Sequence, residues 1–174
     1  MNLLGLSGSL RSESTNTLLI REAARLFQPD NFVEADLNLP LYSGDTEAEG
    51  IPAPVQTLSD QIAAADAVIV ATPEYNKGIS GVMKNALDWV SRTEAKPWAG
   101  KPVAIMSTTA GRTGGERAQA MLRLCLQPFQ PVLLQGPDVL VAANFKEFND
   151  DGQLTNEQYL TALQTLMDKL KASV

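Results

Sequence analysis

A doubly wound α/β fold is what this sequence predicts: a five-stranded parallel sheet in the order 2-1-3-4-5 with helices on both faces. Three observations lead there. Short apolar runs of strand length alternate with segments of helical period along nearly the whole chain. The runs read as strands buried on both faces, as parallel sheets require. Polar loops follow the first, third and fourth runs and feed helices, which is where open α/β sheets seat their ligands. Five runs suit the order 2-1-3-4-5 better than a six-stranded arrangement. No repeat, low-complexity tract or linker breaks the 174 residues, so a single domain over 1–174 is expected.

Asn2–Leu6 is the first strand, and Ser14–Phe27 carries Leu18, Leu19, Ala23, Leu26 and Phe27 at helical spacing. Ser14, Thr15 or Asn16 is its N-cap, and Pro29 lies just past its end. Phe32–Leu37 is a second, weaker strand. Leu39–Pro54, rich in Pro, Gly, Asp and Glu, reads as a surface loop. Val55–Ala65 is helical, Ala67–Ala71 is the third strand, and Gly81–Ser91 is the next helix. After a connector at Lys96–Gly100, Pro102–Ser107 is the fourth strand and Glu116–Leu126 an amphipathic helix. Pro131–Val141 holds a fifth strand, interrupted near Gly136-Pro137. Asn149–Gly152 is a turn. A closing helix spans Thr155–Lys171, where Thr155 and Gln158 fit a capping box.

Composition narrows the chemistry. The apolar fraction is 44% and the charged fraction 20%, ordinary for a globular protein. A net charge of -6 argues against binding nucleic-acid phosphates or anionic membranes. No apolar run reaches the roughly 18 residues of a membrane span, and the first residues lack the basic start of a signal peptide, so a cytoplasmic protein is expected. The single cysteine, Cys125, leaves no internal disulfide or CxxC pair. It sits among leucines and reads as core. The chain has no histidine. That removes Ser-His-Asp and Cys-His catalysis and leaves zinc only carboxylates and one thiol. An enzyme built this way works through carboxylates, Lys or Tyr, or through a cofactor.

The three loops carry the functional reading. The first, Gly8–Thr17, is neither GxGxxG nor a P-loop. It is dense in hydroxyls, with Arg11 and Asn16. Joined to a helix N-terminus, it suits a terminal monophosphate held by many short donors. A polar turn with redundant caps is the competing reading for this loop taken alone. The second loop leaves the third strand as Pro73-Glu74-Tyr75-Asn76 and offers backbone and amide groups to the edge of a flat heteroaromatic ring. Tyr75 is placed to pack on a ring face or to close a neighbouring subunit's site. Lys84 and Asp88 also fit a plain i,i+4 pair, and Trp89 fits core or interface. The third loop, Ser107–Gly115, has three glycines and small side chains that leave room beside that ring. Arg112 and Arg117 suit an acidic second substrate, or plain solvated surface.

Together these residues resemble the NAD(P)H-dependent FMN reductase family, the flavodoxin-like group that includes chromate, quinone and azo-dye reductases. The resemblance rests on Gly8-Ser9-Leu10-Arg11 with Ser14 and Asn16, on Pro73–Asn76 leading to Gly81–Trp89, and on Thr108–Gly115. It covers most of the chain, and the second motif is the specific one. It implies that Ser9, Arg11, Ser14, Asn16 and Thr17 hold the FMN phosphate. It implies ring and ribityl contacts from Pro73, Glu74, Tyr75 and Asn76, with Ser107, Thr108, Thr109 and Gly111 on the other side of the ring. It also implies a homodimer or homotetramer. Two residues depart from the pattern: Ser80 where the family often has proline, and Lys77 where a small residue is frequent.

The resemblance implies an enzyme with no catalytic side chain of its own and no metal. Hydride from NADH or NADPH passes to flavin N5 and then on to a small-molecule electron acceptor (a quinone, flavin, chromate or azo compound) in ping-pong order. Two other readings stay open on sequence alone: an FMN electron carrier without NAD(P)H oxidation, and a module that kept the fold and lost the flavin.

Overall fold

A computed structural model describes residues 1–174. In chain order the elements are β1 (Asn2–Ser7), α1 (Thr15–Phe27), β2 (Asn31–Ala35), α2 (Gly44–Ala48), α3 (Ala53–Ala64), β3 (Ala67–Ala71) and α4 (Gly81–Val90). There follow β4 (Pro102–Thr108), α5 (Glu116–Leu126), β5 (Val132–Leu133), β6 (Leu140–Val141) and α6 (Glu157–Ala172). The sheet runs β2-β1-β3-β4-β5, every pairing parallel, as the sequence predicts.

Alternation along the strands divides the core in two. Leu4, Leu6, Val68, Val70, Val103 and Ile105 face α3, α4 and α5, meeting Leu58, Ile62, Met83, Leu87 and Leu122. Leu3, Ala67, Ile69, Ala71, Ala104 and Met106 face α1 and α6, meeting Leu19, Ile20, Phe27, Leu163, Leu166 and Met167. The parallel register sets Leu4 beside Val68 and Val68 beside Val103, so each face is a continuous apolar layer. Each fully buried Leu, Ile or Val in these layers contributes about 1.5–3 kcal/mol. β3, AVIVA, is buried throughout because it is the central strand.

Two expectations are corrected. The 39–54 segment is not all loop: Ser43 accepts a hydrogen bond from the Thr46 amide at 3.2 Å and starts the five-residue α2. That segment is anchored by Trp89, which donates to the Pro40 carbonyl at 2.7 Å and meets the Tyr42 ring edge-on at 5.1 Å. The capping box at Thr155 does not form. Thr155 turns back to the Glu147 carbonyl, and Asn156 caps α6 by accepting from the Gln158 amide at 3.0 Å. The fifth strand is interrupted at Gly136-Pro137 as expected: two short pieces, β5 and β6, each pair with β4, and proline has no N–H for the ladder between them. The plainer readings of single residues hold. Lys84 and Asp88 form an exposed i,i+4 ion pair at 2.6 Å, Trp89 is fully buried, and Cys125 packs half-buried against the core. No helix is long and apolar enough to cross a membrane.

Candidate functional site

The carboxyl ends of β1, β3 and β4 deliver the three loops to one cleft of about 320 Å³. A larger groove of about 760 Å³, between Gln135–Pro137 and α6, draws on none of them.

The first loop ends in the N-terminus of α1. Ser14 caps it by accepting from the Thr17 amide at 3.2 Å. The amides of Thr15 and Asn16 are left without a protein acceptor, and both residues line the cleft. Arg11 also lines the cleft and takes part in none of the molecule's ion pairs. Free helix amides beside an unpaired guanidinium make an anion grip. Asn16 is itself buried. Its Nδ2 donates to the Thr108 carbonyl at 3.1 Å and its Oδ1 accepts from the Thr108 amide at 3.2 Å, so it ties the first loop to the end of β4.

The second loop is a tight hairpin. Tyr75 and Gly78 exchange two backbone hydrogen bonds of 3.0 Å, and both central residues, Asn76 and Lys77, are left-handed, with φ of 50° and 67°. Two successive left-handed residues are the mark of a type I′ hairpin turn, and Asn tolerates that conformation better than Lys. The turn carries Asn76 and Lys77 to its exposed tip and leaves Pro73, Glu74 and Tyr75 on the cleft wall. Glu74 has a second task. Its Oε2 accepts from the Arg117 and Ala118 amides at 3.1 and 3.2 Å. The N-cap of α5 is Gly115, which has no side chain to bond these amides, so a carboxylate from another loop takes that place and meets the positive end of the helix dipole.

The third loop bends through Gly114 and Gly115, with φ of 61° and 95°. A Cβ on Gly114 would stand 2.4 Å from the Leu140 carbonyl, so only glycine lets β6 lie against this loop. Ser107 is fully buried, and its hydroxyl donates to the Gly114 carbonyl at 2.5 Å while accepting from Gln119 at 2.9 Å. Thr108, Thr109, Ala110 and Gly111 line the cleft. The Thr108 hydroxyl is buried with no hydrogen-bond partner in the protein.

Of the residues singled out in the sequence, Ser9, Arg11, Ser14, Asn16, Pro73, Glu74, Tyr75, Thr108, Thr109 and Gly111 converge on the cleft. Thr17, Asn76 and Ser107 do not line it. Thr17 donates its hydroxyl to Ser7 at 2.9 Å, Asn76 sits in the hairpin turn, and Ser107 braces the third loop from within. The cleft also takes in Thr15 and Thr113, which the sequence placed within the first and third loops without singling them out as site residues, and Asn144, which it did not place. Asn144 follows β6 and donates to the Thr15 hydroxyl at 2.7 Å across 129 residues of chain. Its signal was the return of the split fifth strand to β4, which no local pattern announces.

The cleft carries free helix amides and an unpaired guanidinium, with small, polar residues along its walls. Residues 1–146 match the NADPH-dependent FMN reductase family, and the chain belongs to it. It is an oxidoreductase that uses FMN as cofactor and NAD(P)H as co-substrate. It is 41% identical to an NAD(P)H-dependent FMN reductase of Pseudomonas aeruginosa, over 98% of this chain and 97% of that protein. It is 38% identical to a 2-hydroxy-1,4-benzoquinone reductase of a Burkholderia species, over 96% and 92%. Among solved structures it resembles FerB, a flavoenzyme NAD(P)H:(acceptor) oxidoreductase of Paracoccus denitrificans, with a TM-score of 0.88 and 32% identity over 98% and 95% of the two chains.

The residues present fit the flavin. The free α1 amides and Arg11 match its phosphate, and the orphaned Thr108 hydroxyl lacks the partner that a polar ligand in the cleft would provide.

Proposed function

We propose that this cleft is the FMN site and that the enzyme reduces quinones with NAD(P)H. One observation carries the reading: an anion grip and a ring-sized, small-residue space occupy the same cleft. Arg11, Ser9, Ser14 and the Thr15 and Asn16 amides hold the phosphate end. Pro73–Tyr75 and Thr108–Gly111 flank the ring end. Bound there, FMN supplies the acceptor for a nicotinamide hydride and the donor to the second substrate.

The protein's task is placement. Apart from Arg11, Glu74 and Tyr75 are the only titratable side chains on the cleft wall, and Glu74 is engaged with α5. Ala110 and Gly111, small and exposed, leave one space over the ring end, so NAD(P)H and acceptor use it in turn. Arg112 and Arg117, exposed and outside every ion pair, suit an acidic group on either substrate. The quinone class is favoured by the Burkholderia relative, whose named substrate is a benzoquinone. Chromate, azo dyes and free flavin are further acceptors for the same space. A homodimer or homotetramer, with the exposed Tyr75 at the edge of a neighbour's cleft, completes the reading.

Steady-state kinetics test it. Parallel double-reciprocal lines for NAD(P)H against a benzoquinone support alternating occupancy. Intersecting lines contradict it. Protein that binds FMN yet oxidises neither NADH nor NADPH supports a carrier instead.

A further inference from the structure

Side-chain ties hold the three loops in place, and one of them joins the start of the first loop to the end of the second. Asn16 joins the first loop to the third, and Glu74 joins the second to the first turn of α5, the helix that follows the third. Ser80 joins the first to the second. It is 2% exposed, its hydroxyl donates to the Gly8 carbonyl at 2.6 Å across 72 residues of chain, and it accepts from the Met83 amide at 3.1 Å as the N-cap of α4. Gly8 opens the first loop. Its amide donates to the Ala71 carbonyl at 2.8 Å, and a Cβ there would stand 3.1 Å from both Pro73 Cδ and Ser80 Oγ.

We infer that Ser80 is a positioning residue that sets the phosphate grip against the ring platform. Through Ser80 the first residue of the first loop is fastened to the start of α4, just past the Tyr75–Gly78 hairpin turn that follows Pro73 and Glu74. A proline at this position has no hydroxyl, so it can neither donate to Gly8 nor cap α4. The chain therefore makes with a side-chain hydrogen bond a junction that stiff backbone alone would have to hold.

The consequence is specific, and it rests on the FMN reading above. A ligand that spans both ends of the cleft feels their separation. A ligand that touches only the ring end does not, since joining two binding ends helps only when their spacing matches the ligand. FMN and riboflavin are that pair: the same ring and ribityl chain, with and without the phosphate.

The experiment titrates flavin-free wild type, Ser80→Ala and Ser80→Thr with FMN and with riboflavin by quenching of flavin fluorescence, with thermal melts alongside. Wild type should prefer FMN strongly. Ser80→Ala should weaken FMN by about tenfold, the scale of one lost hydrogen bond to a buried carbonyl, and weaken riboflavin by less than about twofold. Ser80→Thr, which keeps the hydroxyl, should restore the FMN preference. Equal losses for both flavins in Ser80→Ala, or no loss for either, would overturn the positioning role while leaving the FMN site standing. A wild type that does not distinguish the two flavins would overturn the phosphate grip itself, and the positioning role with it.

Discussion

Two polar regions of this molecule look alike in sequence and use their charged groups differently. The cleft loops direct their buried side chains to loop backbone, Asn16 to Thr108 and Ser80 to Gly8 between loops and Ser107 to Gly114 within one. The 39–54 segment spends its charges on other side chains at the surface, with Glu47 accepting from Arg92 at 2.8 Å and from the Tyr42 hydroxyl at 2.9 Å. Backbone ties fix where a loop stands and leave Arg11 outside every ion pair. Surface pairs, screened by water and salt, only steady a helix end. The difference separates side chains that fix the loops around the cleft from charged pairs at the surface.

The largest expected effect lies where backbone crowding leaves no slack. Gly114→Val should cost roughly 3–5 kcal/mol, adding a left-handed penalty to a clash with Leu140. A lowered yield of folded protein, or a melt lower by roughly 6–20 °C, checks it. A near-native melt would show that the third loop can move off β6, and the contrast between rigid cleft and plain surface would fail. Next comes Asn16→Ala, which strips partners from both the amide and the carbonyl of Thr108 and should cost about 2–4 kcal/mol in denaturant unfolding. It should weaken FMN as well, because the first loop loses its tie to the third. If stability falls and FMN affinity does not, Asn16 belongs to the fold alone.

The smallest effect belongs to the surface pair. Arg92→Ala should leave flavin affinity and turnover unchanged. Its signature is in the pH dependence. The hydrogen bond from Arg92, and then that from Tyr42, holds the Glu47 carboxyl below its ordinary value of 4.5. A carboxyl depressed in the folded state adds stability that is present above its unfolded pKa and is lost as pH falls through the folded one. Acid melts of the wild type should therefore lose a small increment below about pH 4.5 that Arg92→Ala has already lost. Identical acid profiles would show that the pair contributes nothing.

Much of the fold was legible because apolar runs between turn residues report buried parallel strands directly. β3 and β4 could hardly be read otherwise. What escaped was decided by contacts distant in sequence. Thr155 and Asn156 are both able caps, and the Glu147 carbonyl, claiming Thr155, leaves the task to Asn156. The five-residue α2 is too short for a period to show, and it stands because Trp89 and Arg92 of the α4 region hold its flanks. In the site, residue type was visible and side-chain direction was not. Ser107 and Thr109 are alike on paper, yet one hydroxyl turns inward to Gly114 and the other residue lines the cleft. Glu74 was read as a ring contact, and its second role as the cap of α5 depends on Gly115 having nothing to offer.

The most direct test of the central claim is a crystal structure of the FMN complex. The claim predicts the phosphate within hydrogen-bond distance of Arg11 and of the Thr15 and Asn16 amides, and the ring between Pro73–Tyr75 and Thr108–Gly111. A flavin bound in another groove, or one whose phosphate points away from Arg11 and the start of α1, would contradict it.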